Sequence, residues 1–213
     1  MSENGKDSVS EVREKRFEII CGLILAFLAA MLAITDLASG RFEGNQSHAE
    51  SEKTNAYSWY ESKSIKQTLV EGQRDLLSTL LTSGEIQPGS TEAMSTMLTE
   101  LDAKANKYEK EKNEILLGSS AVGQEKWAQD VNGELGKIIG AEEWKVQEEA
   151  LDKAGDIFDM SGLFLQLSLV LGAIALVFQH DFAKRLFFGG MVLLGATGLV
   201  VSVYAFMQGM AVQ

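Results

Sequence analysis

Residues 163–207 read LFLQLSLVLGAIALVF, then QHDFAKR, then LFFGGMVLLGATGLVVSVYAFM. The second apolar run, Leu186 to Met207, has 22 residues without a formal charge. About 20 residues rising ~1.5 Å each cross a hydrocarbon core of ~30 Å. The first run, Leu163 to Phe178, is extended by the uncharged Met160, Ser161 and Gly162 to 19 residues. The pair therefore predicts a membrane hairpin, with spans at 160–179 and 186–207 joined by a short basic turn at 180–185.

A third apolar block lies near the start. Ile19 to Thr35 carries no charge, and with its flanks it predicts a first span at 17–38. Ala38-Ser39-Gly40 behind a basic segment also fits a signal-peptide cleavage site, but a retained span is the preferred reading. Arg13, Lys15 and Arg16 precede this span, and Lys184 and Arg185 sit in the hairpin turn. With three crossings both basic clusters fall on one side, which the positive-inside rule makes cytoplasmic. The tail at 1–16 is then cytoplasmic, whereas the region 39–159 and the tail at 208–213 face outward.

Mean hydropathy is 0.00 over 213 residues, an average that hides apolar blocks separated by charged ones. Of the net charge of -11, residues 39–159 supply -10, from 13 Lys and Arg against 23 Asp and Glu. An acidic body excludes nucleic acid as the natural partner, because phosphate binding needs clustered Lys and Arg. Membrane lipid is the partner that the apolar runs imply. Cys21 is the only cysteine and lies inside the first apolar block, where a thiol behaves as a small hydrophobe.

The outward region reads as helical, so the fold class expected is an all-α integral membrane protein: three transmembrane helices with a long helical, coiled-coil region between spans one and two. A helix at about 50–82 repeats Ile65, Leu69, Leu76 and Leu80 on one face. Ser83-Gly84 and Pro88-Gly89 break the chain, and Ser90 or Thr91 is placed to cap a helix at 91–117. There Met94, Leu98, Leu101, Ala105, Tyr108, Lys112 and Ile115 alternate by four and three, a heptad seam that predicts packing against other helices. A helix at 141–159 repeats Trp144, Gln147, Leu151, Ala154 and Phe158 and meets Gly162 without a breaker, which predicts that it runs into span two as a stalk. The Gly-rich stretch 118–140 has two readings. Gly133, Gly136 and Gly140 fit one face of a helix that admits a close neighbour, but a loop with a short helix is favoured; Trp127 and its apolar neighbours then offer a docking surface.

The string Ala56 to Gln67, AYSWYESKSIKQ, followed by Glu71, Asp75 and Leu76, resembles the W-x-x-x-K-x-I-K segment of an uncharacterised bacterial membrane family catalogued only as a domain of unknown function. That family is similar in layout too: one span, an acidic or mixed helical region, and a closing two-span hairpin with a basic turn. The resemblance implies a bacterial inner-membrane location and treats 118–140 as an insertion. It carries over no activity and no catalytic residue.

Chemistry is sparse in this chain. Gly136-Lys137 has Val131 where a phosphate loop needs its first glycine, and neither G-x-G-x-x-G nor H-E-x-x-H occurs. His48 and His180 fall on opposite expected faces of the membrane, so no metal or cofactor site is expected. Asp36, Asp156 and Asp159 are expected at similar depth at the outer membrane face, where repeated copies would form an acidic ring; solvated headgroup-zone carboxylates are the plainer reading. Among the uncharged polar residues, Gln166 is expected to bond between helices and Gln179 lies at the turn. Gly22, Ala26 and Ala30, then Ser168 and Gly172, then Gly198 and Ser202 recur four apart, the spacing that lets helices approach closely in lipid. The expected role is a non-enzymatic scaffold or accessory subunit that self-associates or joins a larger membrane complex, with a cation channel or transport accessory as the alternative.

Overall fold

The computed structural model describes residues 4–83, 88–178 and 180–210; Gln179 and the tail residues 211–213 lie outside the described residues. Among the described residues the chain is all-α apart from one minimal hairpin. Its helices are α1 (Asn4–Ser83), α2 (Thr91–Leu117), α3 (Ser119–Val122), α4 (Ala141–Val177) and α5 (Asp181–Met210). Two-residue strands β1 (Asp130–Val131) and β2 (Glu134–Leu135) pair antiparallel between α3 and α4. Among the described residues three helices are long and apolar enough to cross a membrane, found in Val12–Ser83, Ala141–Val177 and Asp181–Met210. The chain divides into two compact units, one of residues 1–46 and 149–213, the other of residues 47–148.

Helix boundaries, and one expected cap, depart from the sequence expectation. From Asn4 onward the amino-terminal tail, span one and the helix at 50–82 are a single helix, because nothing between Asn4 and Ser83 is proline and isolated glycines cost only ~1 kcal/mol each. Helix α5 likewise continues past Met207 to Met210. Ser90 stands at the start of α2 but makes no side-chain capping bond, since Pro88–Ser90 is already a turn of 3-10 helix and Ser90 has φ -97° and ψ -11°.

In the first unit, α1, α4 and α5 form an antiparallel three-helix bundle. At one end Lys184 Nζ donates to Glu14 Oε1 at 2.8 Å, and the Phe17 and Phe188 rings meet at 5.3 Å. At the other end Phe42 stacks on Phe158 at 5.3 Å and meets Phe206 edge-on, and Gln46 donates to Asp152 at 2.7 Å. Cys21, Leu28, Leu165, Ala175 and Met191 are buried between these ends. Small residues make the close packing possible. A side chain on Gly172 would meet Leu25 and Met191, one on Gly195 would meet Leu28, and one on Gly198 would meet Leu165. Polar groups also point inward: Ser161 Oγ donates to the Gly198 carbonyl at 2.8 Å, and the Thr35 and Ser202 hydroxyls share a 3.1 Å bond. Many large apolar side chains, among them Leu23, Phe27, Leu167, Leu193 and Val200, point outward.

In the second unit, α1 and α2 lie antiparallel. Val70, Leu101 and Ala105 are buried with Leu77 and Tyr108 beside them. Polar pairs flank this patch: Lys63 Nζ bonds Glu111 Oε2 at 2.5 Å and sits over the Tyr108 ring, and Arg74 reaches Asp102 at 3.4 Å. The start of α4 joins them through Lys53 with Glu148 and through Tyr57, whose hydroxyl donates to Glu142 Oε1 at 2.9 Å.

That contact carries a pH dependence. The Glu142 bond and partial burial push the Tyr57 phenol up from its usual 10.0, and the Glu148 bond pushes Lys53 up from 10.5. Both shifts are upward, so the stabilisation is fully present below about pH 10 and disappears as pH rises through the raised values. Thermal melts of the native chain and of Tyr57→Phe should therefore differ at about pH 8 and converge at about pH 12. Equal melts at about pH 8 would show that the bond contributes nothing.

Candidate functional site: an acidic groove and the helix faces

The first unit holds an open groove of about 470 Å³ lined by Asp36, Ser39, Glu43, Phe158, Asp159 and Gln166, among others. It exists because Asp36, Ser39 and Glu43 follow one another around α1 at helical spacing, while Asp159 and Gln166 lie two turns apart on α4. Ser39 Oγ donates to Glu43 Oε1 at 3.3 Å, which partly satisfies that carboxylate. Of the three aspartates expected to form an acidic ring, Asp36 and Asp159 line this groove; Asp156 is exposed and does not. Glu43, which sequence reasoning passed over, completes the acidic lining. Its signal was present as a carboxylate seven residues after Asp36, two helical turns along one face. Among the described residues no three carboxylate, imidazole or thiol groups are arranged to hold a metal ion.

The small residues separate into two classes. Ser168, Gly172 and Gly198 are buried and Ser202 half-buried inside the bundle, whereas Gly22, Ala26 and Ala30 are exposed and nothing lies within 4 Å of a side chain built on Gly22. Within this unit, α1 thus keeps an open small-residue face.

In the second unit the seam of α2 packs against another helix, whereas the apolar face expected on α1 is left exposed. Leu101, Ala105 and Ile115 of α2 are buried, with Met94, Leu98, Tyr108 and Lys112 half-buried, so the seam is largely used within the chain. Across from it α1 presents Lys63, Val70, Arg74 and Leu77, while Ile65 and Leu69 face away; Leu76 and Leu80 are exposed at the edge, where they line an open groove beside Met97 and Leu101 of α2. The long stems of Lys63 and Arg74 cover apolar surface and their charges find Glu111 and Asp102. Lys63 with Glu111 is the more buried of these pairs, and Arg74 also bonds Asp75 of its own helix at 2.8 Å; periodicity reports neither pairing.

The loop at 118–140 also closes on itself. Asn132 and Gly133 have φ of 56° and 88°, the left-handed pair demanded by a two-residue hairpin, and Asp130 pairs with Leu135. The Asn-Gly pair in DVNGEL is the signal that the sequence reading passed over. A helical face of glycines is overturned, because Gly133 and Gly136 both have positive φ; Gly140 instead lets the backbone of Gly118 pass so closely that an added carbon would sit 2.1 Å from its nitrogen. Trp127 is half-buried and donates to the Ser119 carbonyl at 2.8 Å, and Trp144 meets His48 edge-on at 6.0 Å. Both tryptophans therefore serve this unit rather than standing free.

Glu114 anchors the loop. It is fully buried, and its carboxylate accepts from Ser119 Oγ at 2.7 Å and from the Ala128 and Gln129 amides at 2.8 Å each. Ser119 Oγ in turn accepts from the Ile138 amide at 2.9 Å, so one side chain ties both ends of the loop to α2.

No curated protein and no solved structure matches the chain. A family does: through a match over residues 17–208, the chain belongs to DUF4337, a domain of unknown function.

Proposed function

We propose that this chain is a non-enzymatic scaffold or accessory subunit of the bacterial inner membrane that crosses the bilayer three times and associates through helix packing. One observation carries this reading: the outer surface of the first unit's long apolar helices is made of large apolar side chains such as Leu23, Phe27, Leu167, Leu193 and Val200, while Thr35, Ser161 and Ser168 are buried inside beside Leu28, Leu165 and Met191. Lipid tails are as apolar as leucine, so such helices associate through close packing and interhelical hydrogen bonds rather than by hiding apolar area. The Glu14 to Lys184 bond supports a topology with the amino-terminal segment and hairpin turn on one side, taken as cytoplasmic. The open face at Gly22, Ala26 and Ala30 supports packing against a further helix.

The test is thiol accessibility in sealed vesicles of known orientation, on a Cys21→Ala background. Reagent that cannot cross the bilayer should label His180→Cys from the cytoplasmic side and Glu100→Cys from the other. Labelling of both from one side overturns the topology, and a lone monomer without co-purifying protein in mild detergent overturns the scaffold role.

A second reading, a cation channel or transport accessory, draws on the groove shared by Asp36, Glu43 and Asp159. It expects reduced ion flux in vesicles when Asp36 and Asp159 are replaced by Asn and Glu43 by Gln; unchanged flux removes it.

A further inference from the structure

On the second unit, α1 carries two faces of opposite character. Its inner face holds Lys63, Gln67, Val70, Arg74 and Leu77 against α2, and its outer face leaves Ile65 70%, Leu69 62% and Leu76 64% exposed. A monomer in water would be expected to reverse this order, because the apolar side chains are the ones whose burial is favourable. The outer residues are not scattered. Ser62, Ile65, Leu69, Gly72, Leu76 and Thr79 follow one another by three and four, none is charged, and all are exposed. This is the a and d pattern of a two-stranded coiled coil.

We propose that this outer face of α1 is the interface with a second copy of the same chain, laid parallel and in register. The parallel direction rests on the membrane reading above, since copies inserted alike in one bilayer run α1 the same way. Charge then identifies the occupant. With Leu69 and Leu76 at a, Glu61 falls at g and Lys66 at the following e, the two positions that face each other across a parallel dimer. Glu61 of each copy thus meets Lys66 of the other, twice by symmetry. Both side chains are exposed, and neither takes part in an ion pair among the described residues. Gly72 at d, with nothing within 4 Å of an added carbon, admits close approach of the two backbones. Lipid is the poorer occupant, because Glu61, Lys66 and Asp75 border the same face and would enter the apolar phase with it.

The experiment uses the full chain in native membrane vesicles on a Cys21→Ala background. Oxidation should yield disulfide-linked dimers from Ile65→Cys, Leu69→Cys and Leu76→Cys, but not from Asn106→Cys on the exposed side of α2. Either E61K or K66E alone should lower the yield from Leu69→Cys about fivefold, from two symmetry-related pairs, and the E61K/K66E double replacement should restore it. That rescue cannot come from a merely structural role. Equal dimer from Asn106→Cys, or swaps without effect, overturns the proposal. Native mass measurement separates the two readings: multimers that do not link at the seam defeat this interface alone, whereas a lone monomer without partners defeats the scaffold reading as well.

Discussion

Glu114→Ala should release the 118–140 loop from α2 and destabilise the second unit by about 4 kcal/mol, the cost of a lost charged acceptor plus donors left without partners. The Ala128 and Gln129 amides and the Ser119 hydroxyl lose their common acceptor, and the Ile138 amide then rests on a hydroxyl that is itself unanchored. Water cannot readily replace a group that is fully buried. Amide hydrogen exchange should therefore rise roughly a thousandfold at Ala128, Gln129 and Ile138, while the middle of α2 keeps its protection. Glu109→Ala, at an exposed position of the same helix, should change stability by less than about 0.5 kcal/mol. Glu114→Gln should fall between them, because one amide oxygen still accepts the two backbone N–H groups while the amide nitrogen cannot accept from Ser119. Unaltered exchange in Glu114→Ala would mean that the loop is held by Trp127 and its hairpin alone.

Leu193→Arg should sharply reduce stable insertion of the third span. Leu193 is 66% exposed near the middle of α5, and on the membrane reading that exposure is to lipid. A guanidinium at a helix centre costs about 3 kcal/mol on insertion scales, so the carbonate-resistant fraction governed by that span should fall about a hundredfold in equilibrium terms. Phe182→Arg, at the first turn of the same helix and also exposed, should change little, because a long side chain there reaches the interface. In water the two substitutions would be equally harmless, both being on exposed positions. If Leu193→Arg remains as resistant to carbonate as the native chain, the outward face of α5 does not meet lipid.

Three long apolar helices, an acidic body between the first two and a glycine-bearing loop at 118–140 follow from local sequence. Each depends on properties summed over neighbouring residues: uncharged length, helix propensity, the presence of a breaker. The heptad repeat of α2 was legible for the same reason, and so was its apolar face. What local patterning missed was continuity and choice of partner. Helix α1 stays helical to Ser83 because no residue along it stops a helix, whereas the sequence reading divided it where hydropathy changed. The Asn-Gly turn was legible in principle and went unread beside the surrounding glycines.

The sequence by itself determined where the apolar length lies and that the intervening region is helical and acidic, because hydropathy and helix propensity act over a few turns. Only the tertiary structure decided which faces are occupied. Lys63 pairs with Glu111 and Arg74 reaches Asp102 on the side of α1 that meets α2, and Ile65, Leu69 and Leu76 remain exposed. Likewise Asp36, Glu43 and Asp159 come to share a groove through the antiparallel packing of α1 and α4 in the bundle. Those outcomes rest on pairs separated by dozens of residues, and a period counted along one helix contains no record of the charge waiting on another.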